Sequence, residues 1–178
     1  MKKIILMLLI LITLLFSQEV EKNNAFDVFG GWSIPYDDGN DETSYGFNGG
    51  ISYVHEVYDH ISVGGLLALN HWNESLYIPF LVDIEATLQI KEALCLIRAS
   101  TKRVSGGYAF VQFGMGAFME SLEVEIDNDT DIETENNFGM TLSGGLVINR
   151  FLLYPSFQYV FCDNKDKKWL RVSLGFSL

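Results

Sequence analysis

The densest chemistry in the chain is acidic. Residues 120–135 carry Glu120, Glu123, Glu125, Asp127, Asp129, Asp131, Glu133 and Glu135, and no Lys or Arg lies between Arg103 and Arg150. Clustered carboxylates are oxygen ligands suited to hard cations. The run Asp127-Asn128-Asp129-Thr130-Asp131 is similar to the start of a calcium loop, but it lacks the central glycine and flanking helices. Asp127, Asp129 and Asp131 are therefore candidate ligands for a divalent cation, with a solvated acidic loop as the alternative. Asp37, Asp38, Asp41 and Glu42 form a second acidic group, and Lys165, Lys167 and Lys168 are placed to neutralise part of both. His71, Glu74 and Ser75 offer a base, an acid and a nucleophile near one predicted rim, the set that a rim-located lipid hydrolase would need. Three polar residues beside a loop are ordinary, so the expectation is no enzyme. Glycine pairs such as Gly64-Gly65 and Gly144-Gly145 fall in strands or turns and not before a helix, so no phosphate-cradling loop and no cofactor is expected.

The elements that position these residues are strands. Period-two alternation is clearest at the end of the chain, where Leu170, Val172, Leu174, Phe176 and Leu178 alternate with Trp169, Arg171, Ser173, Gly175 and Ser177. The pattern predicts eight strands at about 25–33, 45–55, 60–71, 75–88, 107–123, 136–149, 152–162 and 168–178. The connections at 34–44, 124–135 and 163–167 are polar and charged, that at 72–74 is short, and those at 56–59 and 150–151 are tight. Long loops at one end and short turns at the other predict an eight-stranded antiparallel up-and-down transmembrane β-barrel. Within 89–106, Ile90, Ala93, Leu94 and Ile97 fall at helical spacing. A short periplasmic insert between strands 4 and 5 is therefore expected, with a ninth strand at 94–103 as the competing reading.

Ahead of the strands stands an export signal. Lys2 and Lys3 precede an unbroken apolar run from Ile4 to Ile12, shorter than the roughly 20 residues of a membrane-spanning helix. Residues 1–17 are expected to be a signal peptide cleaved after Ser17, 18–24 an N-terminal tail and 25–178 the barrel domain. With 12 Lys and Arg against 23 Asp and Glu, the chain carries net charge −11. Loss of Lys2 and Lys3 leaves 10 basic residues against the same 23 acidic ones, a charge of −13. That balance excludes nucleic acid as a partner, since phosphate binding needs clustered Lys and Arg. Hydrophobic residues at 48% and charged ones at 20% exclude disorder.

The less apolar strand face decides which way the barrel faces. It is Ser, Gly, Asn, Thr and Gln with few charges, which suits a narrow interior, while the other face is Leu, Ile, Val and Phe, which suits lipid. Asp83, Glu85 and Arg171 alternate with apolar neighbours, and the expectation is a lumenal charge network that plugs the barrel. Trp32, Tyr45, Trp72 and Trp169 at one level and Tyr53, Tyr108 and Tyr154 at the other are expected to form two aromatic girdles.

The export signal, the Gly-aromatic strand Tyr108–Phe118 and the ending Val172-Ser173-Leu174-Gly175-Phe176-Ser177-Leu178 resemble the small eight-stranded outer-membrane β-barrels of the OmpA/OmpX/OmpW type. The resemblance covers about residues 25–178. Endings of that family usually close on an aromatic; this chain closes on Leu178, with Phe176 two residues earlier. The resemblance implies an integral protein of the bacterial outer membrane. It also implies partners in outer-membrane lipid and in the barrel-assembly machinery, the latter reading the last strand. The expected function is a structural or surface-interaction barrel with acidic extracellular loops; the alternative is a narrow pore or transporter for small solutes. Cys95 and Cys162 fall at opposite levels of such a barrel, too far apart for a disulfide, so both thiols are expected to be free.

Overall fold

The structure is a computed structural model that describes residues 24–35, 45–78, 82–101, 106–126, 129–162 and 166–178. The signal segment and residues 18–23 lie outside the described residues. Eight strands run β1 (Asn24–Pro35), β2 (Gly46–Tyr58), β3 (Ile61–Ile78), β4 (Val82–Ser100), β5 (Gly107–Ile126), β6 (Asp129–Ile148), β7 (Phe151–Phe161) and β8 (Lys167–Ser177). Each pairs antiparallel with the next, and β1 pairs with β8 to close the barrel. The predicted eight-stranded up-and-down barrel is the observed architecture.

Both ends of the barrel domain and the short turns lie together at one end of the barrel, the near end. Asn149 and Arg150, both with positive φ (48° and 75°), make the two-residue β6–β7 turn. This is the left-handed geometry that matches strand twist. His60, at φ 68°, closes the β2–β3 turn beside a register shift between Glu56 and Tyr58. Gly107 opens β5 at φ 148°, where a Cβ would lie 1.9 Å from the Val147 carbonyl oxygen; no other residue fits there.

Three expectations are corrected. β3 continues to Ile78 and β4 begins at Val82, so the connection expected at 72–74 is strand and Trp72-Asn73-Glu74 belongs to β3. The segment from Gln89 to Ser100 is neither a helical insert nor a ninth strand. It continues β4, and the connection to β5 is confined to 101–106. The acidic run after Asp129 is the first part of β6 and not loop. The two central hairpins are therefore long. β2 reaches β3 only as far as His71, and β7 reaches β6 only as far as Phe138. Beyond those residues β3–β6 continue as a four-stranded sheet that rises above the far end of the barrel.

Within the closed barrel burial alternates along the strands, whereas residues 130–136 of β6, beyond it, are all exposed. Ile51, Leu67, Ile97, Val111, Leu142 and Leu174 belong to an outward apolar belt that water could not stably cover. The inward face mixes polar side chains with Val54, Leu66, Ile90, Leu94, Leu96 and Leu152, and so is more apolar than its Ser and Gly content suggested.

Candidate functional site: a filled lumen and a far-end sheet

Two ion pairs cross the lumen at different heights. Nearer the short turns, Arg98 of β4 donates from Nη2 to Asp27 Oδ2 on β1 at 2.6 Å. Ser52 donates to the same carboxylate oxygen at 3.0 Å. Arg98 Nε donates to Gln112 Oε1 at 2.8 Å, and Gln112 Nε2 donates to the Tyr154 hydroxyl at 2.9 Å. The guanidinium lies 4.0 Å from the centre of the Phe110 ring, a cation–π contact. One arginine thus ties β4 to β1 and β5, and through Gln112 to β7.

Higher up, Arg171 of β8 donates from Nη1 to both oxygens of Glu92 on β4, at 3.3 and 3.2 Å, and from Nε to Ser156 at 3.0 Å. Asn70 donates to Glu92 from its amide nitrogen and accepts from Ser33 at 2.8 Å through its oxygen. Arg171 and Glu92 side chains are both 0% exposed. Charges in such a place persist only when paired and hydrogen-bonded, as these are.

Above this pair three aromatic rings floor the far mouth. Trp72 and Phe118 each meet Trp169 edge to face, with centroids 5.9 Å apart. Gly46 makes room for Trp72, since a Cβ there would sit 2.5 Å from the indole. Lys167 pairs with Glu120 beside them.

The sequence-predicted site residues fall out as follows. Arg171 is inside, but its partner is Glu92 and not Asp83 or Glu85. The inward positions of β4 are the even ones, and Glu85 is exposed on the opposite parity; Asp83 shares that parity by register, and its side chain lies outside the described residues. Of the predicted girdle residues, Trp32, Tyr45 and Tyr53 are exposed. Trp72, Trp169 and Tyr154 instead point inward and are buried, and Tyr108 is half-buried with its hydroxyl 2.9 Å from Ser177 Oγ. His71 and Ser75 stand four residues apart on one extended strand, about 13 Å between Cα atoms. Glu74 occupies the alternate register position, and the side chains of Glu74 and Ser75 lie outside the described residues.

Asp127 lies outside the described residues. Asp129 and Asp131 are on β6, paired with Ile126 and Val124, in a strand and not in a calcium-loop turn. Among the described residues no three His, Cys, Asp or Glu side chains converge as a metal site. Sequence reasoning missed Asp27, Glu92 and Arg98. The signal was there: Glu92 and Arg98 stand at even separation in an otherwise apolar run, with Ile90, Leu94 and Leu96 on the same parity.

No family model matches the chain, and no curated protein matches it in sequence. Among solved structures, Ail, the attachment invasion locus protein of Yersinia pestis, superimposes with a TM-score of 0.53 at 16% identity. That match covers 88% of this chain and 99% of Ail. Neisserial surface protein A superimposes with a TM-score of 0.51 at 10% identity, covering 87% of this chain and 96% of its own. The chain has the fold of the small eight-stranded outer-membrane β-barrels.

In a barrel of this kind the outward belt faces lipid, which fixes the environment of the two thiols. Cys95 is not in a near-end insert. It lies mid-strand on the outward face of β4, between Gly65 and Met115 on the neighbouring strands. Cys162 follows β7 at the far end, and both are free. With the barrel folded in lipid nanodiscs, a charged, membrane-impermeant maleimide is expected to label Cys162 and to spare Cys95 until the chain is unfolded. Equal labelling of both in the folded state would place Cys95, and with it the outward face of β4, in water and not in lipid.

Proposed function

We propose that this is an integral barrel of a bacterial outer membrane with a plugged lumen. Its role is structural or one of surface interaction, carried out at the far end, which faces outward from the cell. The observation that carries the reading is the lumen. Two hydrogen-bonded ion pairs and the Trp72–Trp169–Phe118 floor fill it at three successive heights. Opening a path would require breaking a buried charge pair, which costs several kcal/mol. In the same reading the chain is exported by a signal peptide cleaved after Ser17, is inserted through recognition of β8 by the assembly machinery, and attracts divalent cations only as counter-ions of its acidic far end. No catalysis is assigned to His71, Glu74 or Ser75.

Single-channel recording tests the proposal. Purified protein in planar bilayers is expected to give no resolved conductance steps at neutral pH. Stable, reproducible openings would replace the surface reading with a narrow pore. A Glu92→Gln/Arg171→Met double variant, which removes the upper pair, separates a plug from an insertion failure. It should remain closed if the aromatic floor also seals, and it should still show the heat-dependent gel shift of a closed barrel.

A further inference from the structure

The far-end sheet has two unlike faces. On the face continuous with the lumen, register places Ala86, Val124 and Asp131 in one row across β4, β5 and β6. Leu88, Leu122 and Glu133 form the next row, and Ile90, Glu120 and Glu135 the next. On these three strands each row ends on an acid and the upper two carry two apolar residues on β4 and β5; on β3 the register continues the upper two to Glu74 and Trp72. Leu88, Leu122 and Val124 are half-buried, while Ile126, one step higher on β5, is 45% exposed. The opposite face is mainly polar, with Glu85 beside Glu125 and Thr87 beside Glu123, and carries one exposed apolar residue, Ile132, on β6. At the foot of the first face Lys167 neutralises Glu120, but among the described residues no cation pairs with Asp131, Glu133 or Glu135.

We propose that this face docks a cationic amphipathic helix of a partner polypeptide. The inference rests on the surface-interaction reading and names the partner's chemistry. Strands are spaced about 4.8 Å apart, so the apolar strip of β4 and β5 is about as wide as the apolar stripe of one helix, whose full diameter is about 10–12 Å. A helix laid along that strip puts its flanking residues over β6, where Lys or Arg meets the carboxylate row. Ile90 and Glu120 are buried at the foot of this face, and the rows from Leu122 to Ile126 extend for about 13 Å, the length of roughly 9 helical residues. A second copy of this chain is disfavoured because it brings the same acids. A lipid surface is disfavoured because the acidic row would have to enter it.

The test uses the full mature chain folded in phosphatidylcholine nanodiscs. The probe is a synthetic helix of leucine and lysine with one apolar face flanked by lysines, followed by fluorescence anisotropy. Empty nanodiscs and two control peptides accompany it: a scrambled sequence of the same composition and one with glutamate in place of lysine. The patterned cationic helix is expected to bind at least about tenfold tighter than either control. Asp131→Asn/Glu133→Gln/Glu135→Gln should weaken binding about tenfold, and Val124→Ser/Ile126→Ser should do the same at unchanged charge. Equal binding of the scrambled peptide, or a triple amide variant that binds like the wild type, would overturn the proposal. Conductance on the same preparation keeps the two readings apart. No peptide binding by a silent barrel overturns only the helix-docking inference, whereas channel openings overturn the surface reading beneath it.

Discussion

Replacing Arg171 with methionine is expected to destabilise the folded barrel by about 3–5 kcal/mol, measured by equilibrium urea unfolding in lipid vesicles. The methionine fills most of the volume but leaves Glu92 charged in the lumen, with Asn70 as its remaining side-chain donor. Ser156 also loses the guanidinium Nε–H as a hydrogen-bond donor. Glu92→Gln should cost less than Arg171→Met, because a neutral amide can still accept from the guanidinium, although Arg171 is left as an uncompensated cation. The informative variant is Arg171→Met/Glu92→Leu. Two apolar side chains of similar bulk remove both charges at once, and replacing a buried pair in this way is commonly neutral or stabilising. The double variant should therefore recover most of the loss. Single variants within about 1 kcal/mol of the wild type would mean that the upper ion pair is solvated.

Leu174→Arg is expected to block insertion. Leu174 is 58% exposed, on the outward parity of β8, between Gly30 and Leu153 on the neighbouring strands. An arginine on the lipid face costs about 2–4 kcal/mol at the membrane midplane. The penalty falls on the strand that must close the ring, so the variant should lose the heat-dependent gel shift and remain in the soluble or aggregated fraction. Leu174→Phe, which keeps the position apolar, should assemble normally. If the arginine variant assembles as well as the phenylalanine one, the outward face of β8 is not in lipid.

The strand number and the closure were legible because lipid imposes one rule on every outward residue between the two membrane surfaces. In β8 that rule gives uninterrupted alternation from Leu170 to Phe176, and the structure follows it residue by residue. The rule lapses where the strands leave the membrane. Trp72-Asn73-Glu74 has turn-like polarity, yet it is extended because β4 pairs with it through Leu88, Thr87 and Ala86. The part of β4 nearest the turns was obscured for a different reason. Its inward face is itself apolar at Ile90, Leu94 and Leu96, and with Ala93 and Ile97 on the outward face the apolar residues also satisfy helical spacing. The lumenal network was only half legible. Arg171 stood out as a charge in a clean alternating strand, but its partner could be chosen only once β4 was correctly phased. Height alone puts Trp72 and Trp169 in a girdle, whereas strand parity turns them inward.

The closing seam has a kinetic consequence. Seven of the eight ladders join strands that follow one another in the chain, so each can zip from its own turn. The eighth joins β1 to β8, and its last rung is a pair of backbone hydrogen bonds between Phe26 and Leu178, at 2.9 and 3.2 Å. Contact order is therefore low everywhere except at one joint, where it is nearly the length of the chain. Loop-closure entropy is concentrated there, and folding should be limited by a single late docking event and not by strand formation. Until that event, β1 and β8 expose two unpaired edges, an open sheet that the bilayer interior does not tolerate.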